Sequence, residues 1–99
     1  MVAVSVKTAR TAAPEVIRQL GRVLEEETDG PFYAATVQMD FLGDPRTVGF
    51  IAQNRAVKNG VWMPQHHLAA ARRIQLYSQR SLPIVTLMDT PGADAEEQA

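Results

Sequence analysis

Cysteine is absent from this sequence, and its absence removes several classes of chemistry. A chain without thiols forms no disulfide, offers no thiolate nucleophile and builds no thiolate metal site. Long apolar runs are also missing, since none approaches the ~20 residues that a membrane-spanning helix needs. The N-terminal residues lack the basic start and the apolar length of a secretory signal. These absences favour a cytoplasmic protein that does not enter a membrane.

An excess of charge of either sign is lacking too. The net charge is −1, so no overall field attracts nucleic acid or an anionic membrane surface. The hydrophobic fraction of 45% and the charged fraction of 21% are those of an ordinary globular protein. Ninety-nine residues suffice for one small domain at most. We therefore expect a small folded unit that binds neither nucleic acid nor membrane.

Residues 1–30 predict an N-terminal strand followed by an amphipathic helix. Valines alternate with other residues between positions 2 and 6, as on one face of a strand. Pro14 suits the first turn of a helix. An apolar stripe at helical spacing follows: Val16, Ile17, Leu20, Val23 and Leu24. Residues 25–27, all glutamate, are then expected at a solvated helix end, and residues 29–31 stop the helix.

Residues 31–99 predict a hairpin followed by one βαβ unit. Apolar side chains alternate from Tyr33 to Phe41, which is typical of a half-buried strand, and a turn at residues 43–45 leads to a returning strand at 47–52. Residues 53–63 show no period and predict a loop. Residues 84–88 form a short apolar run, as in a parallel strand buried on both faces. That strand is expected to be short of neighbours.

Between the loop and the last strand, Pro64 to about Gln79 predict a second helix. Its apolar stripe is expected to consist of His67, Ala70, Ala71, Ile74 and Tyr77. Arg72 and Arg73 are expected on its exposed side. Adjacent histidines on a helix point about 100° apart, and neither His66 nor His67 has a carboxylate three or four residues later, so solvation and packing are favoured over a metal site. Trp62 and Met63, before the helix, are expected to pack.

The last predicted strand ends in Asp89-Thr90-Pro91-Gly92, a turn of the kind that presents backbone amides to a ligand. The same four letters occur in GTPases and in biotin-dependent carboxyltransferases. A GTPase also needs G-x-x-x-x-G-K-[ST], whose amides and lysine hold the phosphates. The sequence contains no Gly-Lys pair, and the guanine-specifying N-K-x-D is missing. A GTPase is therefore disfavoured.

From about Tyr33 to Gln98 the chain resembles the carboxyltransferase α subunit of multisubunit acetyl-CoA carboxylases, in the crotonase superfamily. The segments that carry the resemblance are FLGDPRTVGFIAQNR, NGVWMP, QHHLAAARRIQLYSQRS, LPIVTLMDTPGA and AEEQ, in that order. One residue, Asp94, lies between D-T-P-G-A and A-E-E, where relatives usually have about five more, including a glycine. The resemblance implies an α/β fold, a partial crotonase-like (ClpP/crotonase) ββα spiral, with residues 31–99 as the N-terminal part of that domain.

The resemblance also implies a function and a site. The function is transfer of a carboxyl group from carboxybiotin, carried on a partner protein, to a short acyl-CoA, giving malonyl-CoA from acetyl-CoA. Gly92 and Ala93 are expected to donate backbone N–H groups to developing negative charge. Asp89 and Pro91 are expected to set the turn. Arg55 and Lys58, in the loop after the hairpin, are the candidates to steer phosphates, while the residues by themselves favour solvated loop charges.

The second glycine-rich turn of the superfamily lies farther along than Ala99. We therefore expect a missing C-terminal half or a second carboxyltransferase subunit to complete the site, in a hetero-oligomer that also engages a biotin carboxyl carrier protein. Two alternatives stay open. One is a malonate or acyl-CoA decarboxylase subunit, whose relatives share the D-x-P-G turn. The other is a non-catalytic scaffold subunit that keeps the fold for assembly.

Overall fold

The computed structural model describes residues 3–5, 13–57 and 60–87, the first three by their backbone alone. The described residues form five strands and two helices. In chain order these are β1 (Ala3–Ser5), α1 (Ala13–Arg18), β2 (Arg22–Asp29), β3 (Phe32–Phe41), β4 (Asp44–Gln53), α2 (Pro64–Gln79) and β5 (Ile84–Leu87).

The described strands form one mixed sheet in the order β1-β5-β4-β3-β2. β5 runs parallel to both β4 and β1, whereas β2, β3 and β4 pair antiparallel. The predicted α/β class, the β3–β4 hairpin and the parallel last strand are confirmed. The expectation that the last strand lacks neighbours is wrong, because β1 pairs with its free edge. β1 and β2 thus join the same sheet as the later strands, while the domain division at residue 30 stays a prediction.

The largest difference from the sequence-based prediction is β2, whose residues were expected to belong to a helix. The helix predicted to continue to Leu24 ends at Arg18, and residues 22–29 are a strand. The residues predicted to stop that helix instead form the turn between β2 and β3, where Gly30 has a φ of +55°. Helix-forming residues such as Leu24 and the glutamates after it adopt a strand because pairing with β3 satisfies their backbone groups. Tertiary pairing here overrides a weak local propensity.

The sheet carries a helix on each face. The side chains packed around α1 include Ala13, Ile17, Tyr33, Ala35, Val37, Val48, Phe50, Ala52 and Leu87. Those around α2 are Phe32, Ala34, Ile51, Ala69, Ala70, Tyr77 and Ile84. β3 is therefore buried on both faces over its first half, including Thr36, which is 2% exposed. The prediction of a half-buried strand is wrong for that half, because two helices cover it.

α2 has the predicted bounds, and Ala70 and Tyr77 of its predicted apolar stripe are buried, but the buried face is rotated away from the rest of that stripe. Its buried residues are His66, Ala69, Ala70 and Tyr77. Three residues of the predicted apolar stripe, His67, Ala71 and Ile74, are exposed. Both sets have helical spacing, so periodicity alone does not distinguish them. The ring of Tyr77, which lies directly on Gly49 of β4, belongs to both sets, so the burial of His66 and Ala69 is what distinguishes the observed face.

Each of the three glutamates at positions 25–27 accepts a hydrogen bond from an arginine that lies in, or directly after, a helix packed on the sheet. Glu25 accepts a hydrogen bond from Arg80 at 2.7 Å, and Glu27 accepts one from Arg73 at 2.6 Å. Glu26 accepts hydrogen bonds from Arg18 at 2.9 Å and from the hydroxyl of Tyr33 at 2.8 Å. The predicted solvated helix end is therefore wrong, and so is the prediction that Arg73 is simply exposed. Because adjacent strand residues point to opposite faces, this run ties edge strand β2 to both helices.

These ion pairs predict a loss of stability in acid. The hydrogen bond from Arg80 lowers the pKa of Glu25, and that from Arg18 lowers the pKa of Glu26. A carboxylate whose pKa is lower in the folded state stabilises the protein above its unfolded pKa, about 4.3 for glutamate, and loses this contribution as pH falls further. We expect the free energy of unfolding, measured by urea denaturation, to fall below about pH 4 to 5. Changing both residues to glutamine should flatten this slope, and an unchanged slope would contradict the assignment.

Candidate functional site

The residues of the predicted turn, Asp89, Pro91, Gly92 and Ala93, lie outside the described residues, as does Lys58. Arg55 is described. Roles predicted for these positions therefore stay predictions. What the structure shows is the edge of the sheet from which the turn segment departs.

The strands that flank the predicted site end at one edge of the sheet. β4 and β5 are parallel, and Ala52 lies opposite Leu87 near the carboxyl end of both. β3 begins at the same edge, where Phe32 lies opposite Gln53. Arg55 follows β4 here, and the predicted turn follows Leu87 within two residues. Ligands of open α/β sheets commonly bind beyond the carboxyl ends of parallel strands, so this edge has the geometry expected of the site.

The loop after β4 is held by its own backbone contacts. The N–H of Asn54 donates to the carbonyl of Pro31 at 2.7 Å, and the side chain of Asn54 accepts from the N–H of Ala56 at 3.1 Å. Gly60 has a φ of +77°, and a β-carbon on it would lie 3.3 Å from Cγ of Arg55. Glycine at position 60 thus allows the half-buried stem of Arg55 to pack closely. The loop presents Arg55 at the edge in a defined position.

Trp62 anchors the second half of this loop. Its indole N–H donates to the carbonyl of Pro31 at 3.2 Å, and its ring centroid lies 5.7 Å from that of Phe32. The ring of His67 meets it edge-on at 5.3 Å. The packing interpretation is therefore confirmed for Trp62. Met63 is 55% exposed and serves instead as the residue before the first turn of α2, so packing is not its role.

A buried histidine lies beside this loop. His66 is 5% exposed, its Nδ1 accepts the N–H of Met63 at 2.8 Å, and its Nε2 lies 3.7 Å from a carboxylate oxygen of Asp29. The ring borders a cleft of about 530 Å³ at the same edge, lined by Asp29, Gly30, Pro31, Val61, Met63, Gln65 and His66. The described residues contain no group of three His, Asp or Glu that could hold a metal ion.

The approach of Asp29 to His66 was not predicted from the sequence. Asp29 was assigned to the stop of a helix that in fact ends at Arg18, so its proximity to α2 could not be foreseen. One local signal was available, since a hydrogen-bond acceptor at the third position of a helix often bonds the N–H of the residue before the helix. His66 occupies that position after Pro64.

A second, apolar cleft lies toward the opposite end of the strands. Its volume is about 540 Å³, and its lining is Leu20, Met39, Phe41, Asp44, Arg46, Val48, Phe50, Pro83 and Val85. Among the described residues, α1 is the helix on this face, and with six residues it covers only part of the sheet. Arg46 and Asp44 pair with each other at 2.9 Å.

Comparison with known protein families identifies a match in this chain. Residues 42–99 match the model of the carboxyl transferase domain. The matched region includes β4, α2, β5 and the predicted turn, and it is more than half of the chain. No curated protein and no solved structure matches the chain. Within the described residues, no helix has the length and apolar character needed to cross a membrane.

Proposed function

The chain belongs to the carboxyl transferase domain family, and from this we propose that it takes part in moving a carboxyl group from carboxybiotin to a short acyl-CoA. The observation that carries the proposal is the family match over residues 42–99, which includes the segment D-T-P-G-A at residues 89–93. Family membership supports carboxyl transfer in general. Biotin as donor and acetyl-CoA as acceptor, with malonyl-CoA as product, come from the resemblance of that turn to carboxyltransferase α subunits.

The chemistry suits a site built from backbone donors. Carboxyl transfer between N1 of biotin and the α-carbon of a thioester develops enolate charge on both partners. Fixed N–H groups aimed at that charge stabilise the transition state without a nucleophile or a metal ion. We assign these donors to Gly92 and Ala93. A residue without a β-carbon at position 92 lets the ligand approach the backbone closely, while Pro91 stiffens the turn and Asp89 orients it.

Arg55 and Lys58 are proposed to attract the phosphates of CoA. Arg55 supports this role because the loop after β4 places it at the edge where β4 and β5 end. Its guanidinium can donate paired hydrogen bonds to phosphate oxygens. Lys58 follows in the same loop and adds a second positive charge.

Further protein is required for a complete site on this proposal. Carboxyltransferases of the crotonase superfamily use a second glycine-rich turn between a strand and a helix. In the described residues, Gly30 and Gly43 lie in hairpin turns and Gly60 lies in the loop before α2. We propose that a further part of the polypeptide or a second carboxyltransferase subunit supplies the second turn. The same resemblance implies a crotonase-like ββα spiral, a hetero-oligomer and a biotin carboxyl carrier protein.

The reverse reaction tests this function directly. The native polypeptide with its partner subunits is incubated with malonyl-CoA labelled at the free carboxyl, with and without biotinylated carrier protein. We expect acetyl-CoA to form only when the carrier is present, because the carboxyl group needs biotin as its acceptor. The measurement is label transferred to biotin together with acetyl-CoA released.

Other outcomes of the same assay separate the alternatives. Release of carbon dioxide without biotin, from an acyl group on a phosphopantetheine carrier, would assign a decarboxylase instead. Absence of turnover, together with absence of biotin and CoA binding in the assembled complex, would assign a scaffold. Either result would overturn carboxyl transfer to acyl-CoA.

A further inference from the structure

His66 lies where α2, the loop before it and the β2–β3 turn meet. Its Nδ1 accepts the N–H of Met63 at 2.8 Å, immediately before the helix. The N–H groups of His66 and His67 donate to the carbonyl of Met63 at 2.9 and 3.3 Å. On the other side of the ring, Nε2 lies 3.7 Å from Asp29. One buried side chain therefore closes the first turn of α2 and faces β2.

The protonation state of the ring decides whether this arrangement can exist. In neutral imidazole one nitrogen accepts and the other donates, whereas in imidazolium both donate. Nδ1 accepts here, so the neutral ring carries its proton on Nε2, which faces Asp29. A second proton, on Nδ1, would point at the N–H of Met63, so that two hydrogen-bond donors would face each other. That proton removes the cap and at the same time strengthens the attraction of the ring to Asp29.

Among the described residues, the groups that face the ring leave Asp29 as its charged neighbour. Glu27, two residues earlier on the same side of β2, is bonded to Arg73 of α2. His67 contacts Trp62 on the exposed side of the helix. The turn at residues 30–31 and the loop residues 60–63 contain no ionisable side chain. A positive His66 therefore gains one partner, Asp29, and loses one, the N–H of Met63.

From this geometry we infer that His66 is a pH-sensitive clip on the N-terminus of α2. With a neutral ring the clip is closed, and the first turn of α2 and residues 60–63 are held against the Gly30–Pro31 turn. Histidine is the side chain that ordinarily changes charge between pH 5 and 8. Protonation opens the first turn and loosens the loop segment that leads into it. The clip depends on the fold alone and not on the proposed carboxyl transfer.

Amide hydrogen exchange of the native polypeptide between pH 5 and 8 tests the clip. Rates for the amides of Met63, His66 and His67 are divided by their intrinsic rates at each pH. We expect these corrected rates to be about fivefold higher at pH 5 than at pH 8, the effect of losing one helix cap. Amides in the last turns of α2 serve as the internal reference and should not change. Corrected rates that do not vary with pH would overturn the inference.

Three variants make the test specific. His66→Gln keeps an acceptor at the capping position but does not titrate in this range, so its exchange should be slow and independent of pH. Asp29→Asn removes the carboxylate beside Nε2 and leaves the acceptor Nδ1 in place, so its exchange at pH 8 should match that of the wild type. His67→Gln is the matched control and should behave as the wild type does. An unchanged pH dependence in His66→Gln, or its loss in His67→Gln, would refute the clip.

Discussion

Replacement of Gly92 by valine should lower the rate of carboxyl transfer about 10²-fold or more while leaving the fold intact. On the proposed mechanism the N–H of residue 92 donates to developing negative charge, and loss of one such donor commonly costs 10²- to 10³-fold in rate. A branched side chain at this position keeps the ligand away from the backbone. The measurement is the biotin-dependent formation of acetyl-CoA from malonyl-CoA by the complete enzyme.

The matched control is Thr90→Val, in the same tetrapeptide. It changes a hydroxyl for a methyl group of similar size and leaves the backbone at position 92 unaltered, so its rate should stay within a few-fold of the wild type. Gly92→Ala should fall between the two, because its side chain is smaller. If Gly92→Val folds normally and keeps the wild-type rate, residue 92 is not the donor and the assigned site is wrong.

Gly49→Ala should lower the free energy of unfolding by about 3 kcal/mol, at the upper end of the usual cost of overpacking a core. A β-carbon on Gly49 would lie 2.4 Å from Cδ2 and 2.7 Å from Cγ of Tyr77. That ring is fully buried, and its hydroxyl donates to the carbonyls of Ala35 and Phe50 at 3.2 and 3.4 Å. Burial raises the pKa of Tyr77 to about 12, so the hydroxyl keeps its proton at neutral pH. The ring therefore cannot move without losing these bonds.

Urea denaturation with two comparisons isolates the steric effect. Gly43→Ala meets no atom within 4 Å but has a φ of +86°, so it measures backbone strain alone, about 1 kcal/mol. Tyr77→Leu removes the ring, and combining it with Gly49→Ala should cost less than the sum of the two single changes. A cost for Gly49→Ala no larger than that for Gly43→Ala would show that the contact with Tyr77 does not restrict position 49.

The sequence by itself determined those elements whose ends are marked by turn-forming or helix-ending residues. β3 and β4 are marked by alternation and by the turn between them, and the turn before β4 was placed within a residue or two. α2 was predicted at both ends, because Pro64 suits a first helical turn and Leu82-Pro83 prevents continuation. The D-T-P-G-A segment likewise identified the family that residues 42–99 match.

Tertiary contacts decided between structures that the local sequence allowed equally well. Leu24 and the glutamates after it favour a helix locally, yet they form β2, because β3 offers backbone partners and three arginines from two helices meet the carboxylates. The period of α2 fitted two overlapping faces, and packing against the sheet buried His66 and Ala69 instead of His67 and Ala71. The pairing of β1 with β5 and the approach of Asp29 to His66 join residues far apart in the chain. Local propensity is worth a few tenths of a kcal/mol per residue, and packing and pairing exceed it.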